Sequence, residues 1–200
     1  VKVKQETLIC LSLSSKLSGT YQSACLAKDM VDYENIYIVD TLTAAAGIRL
    51  LCEVAMNWID ENRSVESIVS GLEELKERVH IYAGLDTLEY LAKGGRISKT
   101  AATIGTLASI KPIICTDHGE VAVAGKTRGV NKATSIVCEK MQADIVDTLY
   151  PVYTLYSYGL ENVEKLESKL DLDVNRARIG STIGVHIGPN AFGVCFVSKL

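Results

Sequence analysis

Residues 8–41 read LICLSLSSKLSGTYQSACLAKDMVDYENIYIVDT, and this stretch decides the fold class. It opens with the apolar run LICLSL and closes with IYIVDT, and both runs are bounded by turn residues. Short apolar runs of this kind are typical of strands that are covered on both faces in a parallel sheet. The segment between them, SGTYQSACLAKDMV, has helical character, so the whole stretch predicts a β-α-β unit.

The chain continues with two predicted helices and a third strand. From Thr43, TAAAGIRLLCEVAMNWIDEN places its charged residues on one stripe, which predicts a helix that buries most of its circumference. Ser64 stands where the N-cap of a second helix belongs, and HIYAGL (residues 80–85) then predicts a strand. We expect residues 1–84 to form a parallel α/β lobe.

After Leu85 the pattern changes to that of an α+β lobe. Two alternating runs flank Asp117-His118-Gly119, which predicts a hairpin. A helix over residues 131–142, a tyrosine-rich strand (VYTLYSYG), a short helix (ENVEKLESKL) and the apolar tail FGVCFV follow. We expect residues 85–200 to form an α+β lobe with antiparallel strands, and a ligand cleft between or within the two lobes.

Composition excludes several classes of protein. The chain has 200 residues, 48% of them hydrophobic, and a net charge of −3, so it can bury a sizeable core, and its scattered basic residues argue against nucleic-acid binding. The six cysteines lack zinc-ligand spacing, which predicts buried, reduced thiols and no metal site. No apolar stretch is long enough for a membrane span and no secretory leader is visible, so we expect a cytoplasmic protein without a cofactor.

The turn between the first strand and the first helix is a candidate binding site. Ser18-Gly19-Thr20 places two hydroxyls and a glycine at the helix start, where backbone N–H groups are free and the positive end of the helix dipole faces outward. Such a corner can hold a carboxylate or a phosphate, although plain helix capping by Ser18 is the alternative. The tripeptide lacks G-x-G-x-x-G and the P-loop lysine, which argues against a nucleotide site.

Three further stretches are candidates. In LEYLAKGGRISKTA, Gly94-Gly95 can end a helix and aim Arg96 at a buried carboxylate or phosphate, or Arg96 pairs with a surface carboxylate. In IGSTIGVHIGPNAFGV, small residues surround His186. Two interpretations are open: its imidazole points into a cavity, or it belongs to the core. The apolar residues 100–114 line a channel for an alkyl chain or are core.

Taken together, these segments resemble a known family. SSKLSGTYQSA, IVDT, LEYLAKGGRIS, IKPII with the following DHGE, and GVHIGPNAFGV, in this order, are similar to the DegV family of bacterial fatty-acid-binding proteins. The resemblance spans essentially the whole chain and implies a two-lobed α/β fold. Because members normally begin with roughly 75 further residues, it also implies that the Rossmann-like parallel lobe is incomplete at its N-terminus.

The resemblance also implies a function and a site. It implies a lipid-binding protein, not an enzyme, that buries one long-chain fatty acid and presents it to a separate fatty acid kinase subunit for acyl-phosphate formation, with transient membrane contact. The carboxylate ligands carried over by motif are Ser18, Gly19, Thr20, Arg96 and His186. The alternative is an acyl or phosphoryl transferase or hydrolase with Ser18 as nucleophile and His186 as base, and the lack of G-x-S-x-G argues against it.

Overall fold

The computed structural model describes residues 4–98 and 110–200, and the strands within them form two sheets. The smaller sheet pairs β1 (Leu8–Ser12) with β2 (Ile36–Asp40) in parallel. Helix α1 (Thr20–Asp29) connects these strands, which confirms the β-α-β unit predicted over residues 8–41.

The larger sheet has six strands in the order β5-β4-β3-β8-β6-β7. In chain order they are β3 (Val79–Gly84), β4 (Ile110–Asp117), β5 (Glu120–Arg128), β6 (Tyr153–Tyr156), β7 (Asn175–Arg178) and β8 (Phe192–Val197). Its pairs are antiparallel except β6 with β7, which is parallel. A parallel sheet and a mixed sheet therefore make up the α/β fold, as the sequence predicted.

Helices connect and cover the strands. After α1 they are α2 (Ala46–Asp60), α3 (Val65–Leu75), α4 (Glu89–Lys93), α5 (Val130–Ala143), α6 (Glu161–Glu167) and α7 (Ser181–Ile187), and a 3₁₀ turn at Lys76–Arg78 leads from α3 into β3. The hydroxyl of Ser64 accepts a hydrogen bond from the amide of Ser67, which confirms the predicted N-cap of α3. Among the described residues, no helix is long and apolar enough to cross a bilayer.

The larger sheet has a hydrophobic core on each face. On one face, side chains such as Ile81 and Leu155 pack with apolar residues of α2, α3, α4 and α7. On the other face, Phe192 and Phe196 pack with apolar residues of α5 and α6. The sheet is thus the central layer of the molecule, and the face that meets α4 and α7 carries the cavity described below.

Helix α2 differs from its prediction. Its buried residues are Ala46, Gly47, Leu50, Leu51, Val54 and Ala55. Met56 and Ile59, however, are 63% and 54% exposed. The expectation that this helix buries most of its circumference is therefore wrong, because α2 packs through one face only.

The expected division of the chain into lobes at residues 84 and 85 remains our proposal. Within residues 4–84, the described part of this range, only β1 and β2 pair in parallel. The strand β3, at the end of this range, pairs antiparallel with β4 and β8 of the larger sheet. Sheet membership thus groups β3 with the second lobe.

Candidate functional site

An apolar cavity lies between the larger sheet and the two short helices α4 and α7. It encloses about 150 Å³ within a hollow of about 890 Å³ that includes open solvent. The sheet contributes side chains from β3, β4, β5 and β6, among them Ile81, Ile114, Val121 and Leu155. Helix α4 contributes Leu91, and the loops after β1 and β2 complete the wall.

Three polar residues predicted from the sequence line this one cavity: Ser18, Arg96 and His186. We call them the polar trio. They come from the loop before α1, the turn after α4, and α7. These positions are far apart in the chain, so the fold brings together three side chains that the sequence could only list separately.

Ser18 lies just before the N-terminus of α1 and is half-buried. Its hydroxyl oxygen is 2.8 Å from Oγ1 of Thr20 and accepts a hydrogen bond from the Thr20 amide at 3.3 Å. The N-cap position itself belongs to Gly19, and no side chain caps the helix there. Ser18 therefore bonds to the first helical residue while it remains at the cavity wall.

Arg96 is placed by the end of helix α4. The Arg96 amide donates to the Leu91 carbonyl and the Gly95 amide to the Ala92 carbonyl, at 2.9 and 3.1 Å, which is the Schellman arrangement. Gly95 has φ of +72°, a conformation that favours glycine. The predicted helix end at Gly94-Gly95 is thus confirmed, and it turns Arg96 back toward the cavity.

The Arg96 guanidinium links two parts of the site. Its Nε donates to the carbonyl of Leu17, the residue before Ser18, at 3.1 Å, and its Nη1 donates to the carbonyl of Gly94 at 2.5 Å. No ion pair involves Arg96 among the described residues, although its side chain is exposed. A guanidinium that is held by carbonyls alone keeps its charge available for an anion.

His186 lies near the C-terminal end of α7, against helix α4. A Cβ placed on Gly94 would come within 2.2 Å of the His186 Nδ1 atom. The imidazole therefore packs directly on the Gly94 backbone, whose carbonyl accepts from Arg96. The sequence indicated that Gly94 ends the helix and aims Arg96, but it did not indicate the contact with His186, because this contact joins segments far apart in the chain.

Not every predicted residue reaches the cavity wall. Gly19 and Thr20 are exposed and are not among the residues that line the cavity, so their part in binding stays a prediction. Residues 100–109 of the apolar stretch expected to form a channel or core lie outside the described residues. Ile114, at the end of that stretch, does line the cavity.

The motif IVDT fixes the loop that carries Ser18. Asp40 Oδ1 accepts from the amides of Ser15 and Leu42 at 3.0 and 3.3 Å. The hydroxyl of Thr41 donates to the carbonyl of Ser12 at 2.7 Å. These hydrogen bonds connect the loop after β2 to the loop after β1. The motif IVDT therefore stabilises the backbone of the loop that carries Ser18.

Metal sites and reactive cysteines are the two other kinds of functional group to consider among the described residues. No group of His, Cys, Asp and Glu within residues 4–98 and 110–200 is arranged to hold a metal ion. All six cysteines are free thiols, as predicted. The prediction that they are buried is wrong for four of them, because only Cys138 and Cys195 are buried and the others lie in partly exposed positions. Cys115 also lines the cavity, and burial raises the pKa of its thiol, which disfavours the reactive thiolate.

Comparison with known sequences points to one family. The sequence model for uncharacterised proteins of the DegV family matches residues 1–199. A DegV domain-containing protein of Clostridium acetobutylicum is 35% identical over 195 residues, which cover 96% of this chain and 70% of that protein. The match is therefore spread over nearly the whole chain.

Comparison with solved structures agrees. A structure described as fatty acid binding of a DegV family protein from Thermus thermophilus is 30% identical, has a TM-score of 0.86, and is matched over 99% of this chain and 74% of that one. A stearic-acid-binding protein from Eubacterium ventriosum is 26% identical, has a TM-score of 0.84, and is matched over 99% and 72%. Both share the fold described above.

Proposed function

The chain belongs to the DegV family, and from this premise we propose that it binds one long-chain fatty acid in the cavity between the larger sheet and helices α4 and α7. The observation that carries the proposal is that Ser18, Arg96 and His186 line a single, otherwise largely apolar cavity. The solved relatives described as binding fatty acid or stearic acid support the same ligand class.

The apolar wall suits an acyl chain. Each buried methylene contributes about 0.8 kcal/mol, so a chain of about 15 methylenes gains roughly 12 kcal/mol before ordering costs are subtracted. Ile81, Ile114 and Leu155 supply this surface from neighbouring strands. The tail therefore provides most of the binding free energy.

The carboxylate is the costly part of the ligand. Its removal from water costs several kcal/mol unless it is paired and hydrogen-bonded. Arg96 supplies the positive charge, Ser18 a hydroxyl donor and His186 a ring N–H, while Gly19 and Thr20 would add amides from the start of α1. In this proposal, the polar trio compensates for the lost hydration of the carboxylate.

The chain is a lipid-binding protein and not an enzyme. Ser18 hydrogen-bonds to Thr20, with no imidazole partner among the described residues, and nucleophilic catalysis needs an adjacent base. The alternative, in which Ser18 attacks an acyl group with His186 as base, therefore has no geometric support within the described part of the chain.

The finer part of the proposal concerns the partner. A separate fatty acid kinase subunit would receive the bound acid and convert its carboxylate into an acyl phosphate, as the family resemblance implies. Exposure of Arg96 and partial exposure of Ser18 and His186 support this step, because a phosphoryl donor must reach the carboxylate. We also propose that this carrier works in the cytosol and contacts membranes only transiently.

The direct test is identification of the ligand. Mass spectrometry of a denatured extract of the purified chain should detect co-purified acids of about 14 to 18 carbons. Arg96→Ala and Ser18→Ala should each weaken fatty-acid binding, by about tenfold or more for the charged residue. Titration with a fluorescent fatty acid measures the change.

Matched controls come from the surface of the same chain. Arg63 pairs with Glu61 and stacks on Trp58, away from the cavity, and Ser135 is bonded within α5. Arg63→Ala and Ser135→Ala should leave binding unchanged. The proposal is overturned if the extract contains no fatty acid and the unmodified chain shows no saturable binding of fatty acid.

A further inference from the structure

Ser14 lies at the junction of three segments around the cavity. It is fully buried, its amide donates to the Thr43 carbonyl at 3.0 Å, and its own carbonyl accepts from the amides of Leu17 and Ser18 at 3.0 and 3.1 Å. The position of the Ser18 backbone therefore depends on where Ser14 is held.

The side chain of Ser14 reaches a distant part of the chain. Its hydroxyl donates to the carbonyl of Gly119 at 2.7 Å, across 105 positions of sequence. Gly119 lies at the tip of the β4–β5 hairpin, where Asp117 pairs with Glu120. This hydrogen bond ties the hairpin tip to the loop that carries Ser18.

The fit at the hairpin tip is specific for glycine. Gly119 is buried and has φ of +85°. A Cβ at this position would come within 2.6 Å of Ser14 Oγ and 3.0 Å of Leu42 Cδ2. Real Cβ atoms do not approach other atoms so closely, so a larger residue would push the tip away from Ser14.

The same hairpin also contributes to the acyl cavity. Thr116 on β4 and Val121 on β5 line it, and both lie within three positions of Gly119. The hairpin thus contacts the proposed tail through its strands and the proposed head-group loop through its tip.

We propose that Ser14 is a positioning residue for the carboxylate, and that the hairpin tip at Gly119 fixes it through the Ser14 hydroxyl. The inference rests on the proposed function. Ser14 touches no ligand in this scheme. Its backbone carbonyl holds the Leu17 and Ser18 amides, and the carbonyl of Leu17 in turn accepts from Arg96.

The test separates head-group binding from tail binding. Tetradecanoate and tetradecanol share a tail, and only the acid needs the polar trio. Ser14→Ala should weaken tetradecanoate binding about five- to tenfold, since it removes the hydroxyl that donates to the Gly119 carbonyl and accepts from the Lys16 amide. It should leave tetradecanol binding within about twofold. Ser12→Ala is the matched control, because Ser12 is also buried and its hydroxyl donates to the adjacent Leu13 carbonyl and not to a distant segment among the described residues.

A second pair of variants tests the hairpin tip. Gly119→Ala should reproduce the selective loss of tetradecanoate binding. Gly129→Ala is its control, because Gly129 has a similar φ of +76° and open space at its Cβ, so it carries the backbone strain without the contact. A double-mutant cycle of Ser14→Ala with Ser18→Ala should be non-additive, because Ser14 acts through Ser18.

The outcomes distinguish this inference from the proposed function. If the unmodified chain binds neither ligand, both are overturned. If it binds tetradecanoate and Ser14→Ala weakens acid and alcohol equally, or neither, only the positioning role of Ser14 is overturned. A selective and non-additive loss of acid binding supports the inference.

Discussion

Asp86 joins three segments of the chain at the end of β3. It accepts from Lys111 Nζ on β4 at 2.6 Å and from Asn190 Nδ2, in the loop before β8, at 2.8 Å. Burial raises the pKa of this carboxyl, but the bonds from Lys111 and Asn190 outweigh it and hold the pKa below the ordinary value of 3.8. The ionised form of Asp86 is therefore favoured in the folded state.

This shift predicts an acid-dependent loss of stability. The contribution of Asp86 is complete above pH 3.8 and is lost as the pH falls through the lower folded-state pKa. Asp86→Asn should lower the free energy of unfolding by about 1 to 2 kcal/mol near pH 6, and the difference from the unmodified chain should shrink toward pH 3. Urea unfolding at several pH values measures it.

The control for this experiment is Asp173→Asn, since Asp173 is exposed. It should leave the unfolding free energy unchanged at both ends of the pH range. If the loss of unfolding free energy caused by Asp86→Asn stays constant from pH 6 to pH 3, the ionised carboxylate of Asp86 does not stabilise the fold.

At the scale of elements, α1 differs from the other described α-helices, each of which has buried residues. None of its ten residues is buried, whereas all six residues of β8 are. Segments with few buried contacts open at lower free energy than core strands. Helix α1 should therefore be among the first elements to open.

Hydrogen exchange tests this prediction. Amides in Thr20–Asp29 should exchange about a hundredfold faster or more than those of β8. Saturation with tetradecanoate should slow exchange in the first turn of α1, because the proposed ligand contacts Ser18 beside it. Equal protection of α1 and β8 in the free chain would contradict the prediction.

The sequence predicted some elements better than others, for physical reasons. The sequence marked FGVCFV only as an apolar tail, and the structure shows that it is β8, whose side chains are all buried. The strand β7 reads NRAR, with only Ala177 buried, so it lacks the apolar alternation that marks a strand. Gly184, one of the small residues around His186, lies inside α7, and the helix ends at Gly188, where φ is +77°.

The candidate site was partly predictable for the same kind of reason. Ser18, Arg96 and His186 stand out because each lies beside glycines and turns in a polar motif. The apolar wall did not stand out, because Ile81 and Leu155 look like any core residue until the fold shows a cavity beside them. The contact between Ser14 and Gly119 also depends on tertiary structure alone.

At the scale of the whole molecule, ligand binding should raise stability. A ligand that binds only the folded state at 100 times its Kd adds about 2.7 kcal/mol. For a chain of this length, that corresponds to a rise in Tm of roughly 5 to 10 °C. Thermal unfolding with and without tetradecanoate measures the shift.

The variant Arg96→Ala provides the contrast. At the same ligand concentration its Tm should rise by clearly less than that of the unmodified chain, because the carboxylate has lost its cation. Arg63→Ala should show the full rise. If the ligand raises the Tm of all three proteins equally, Arg96 does not contribute to ligand binding.

The central place of β8 in the larger sheet has a consequence for biosynthesis. It pairs with both β3 and β6, yet it follows every other strand in the chain. A ribosome delivers β8 only after these partners have emerged, so until then β5-β4-β3 and β6-β7 cannot join, and the inner edges of both groups keep unpaired backbone N–H and C=O groups. The larger sheet can therefore be completed only once β8 has been synthesised.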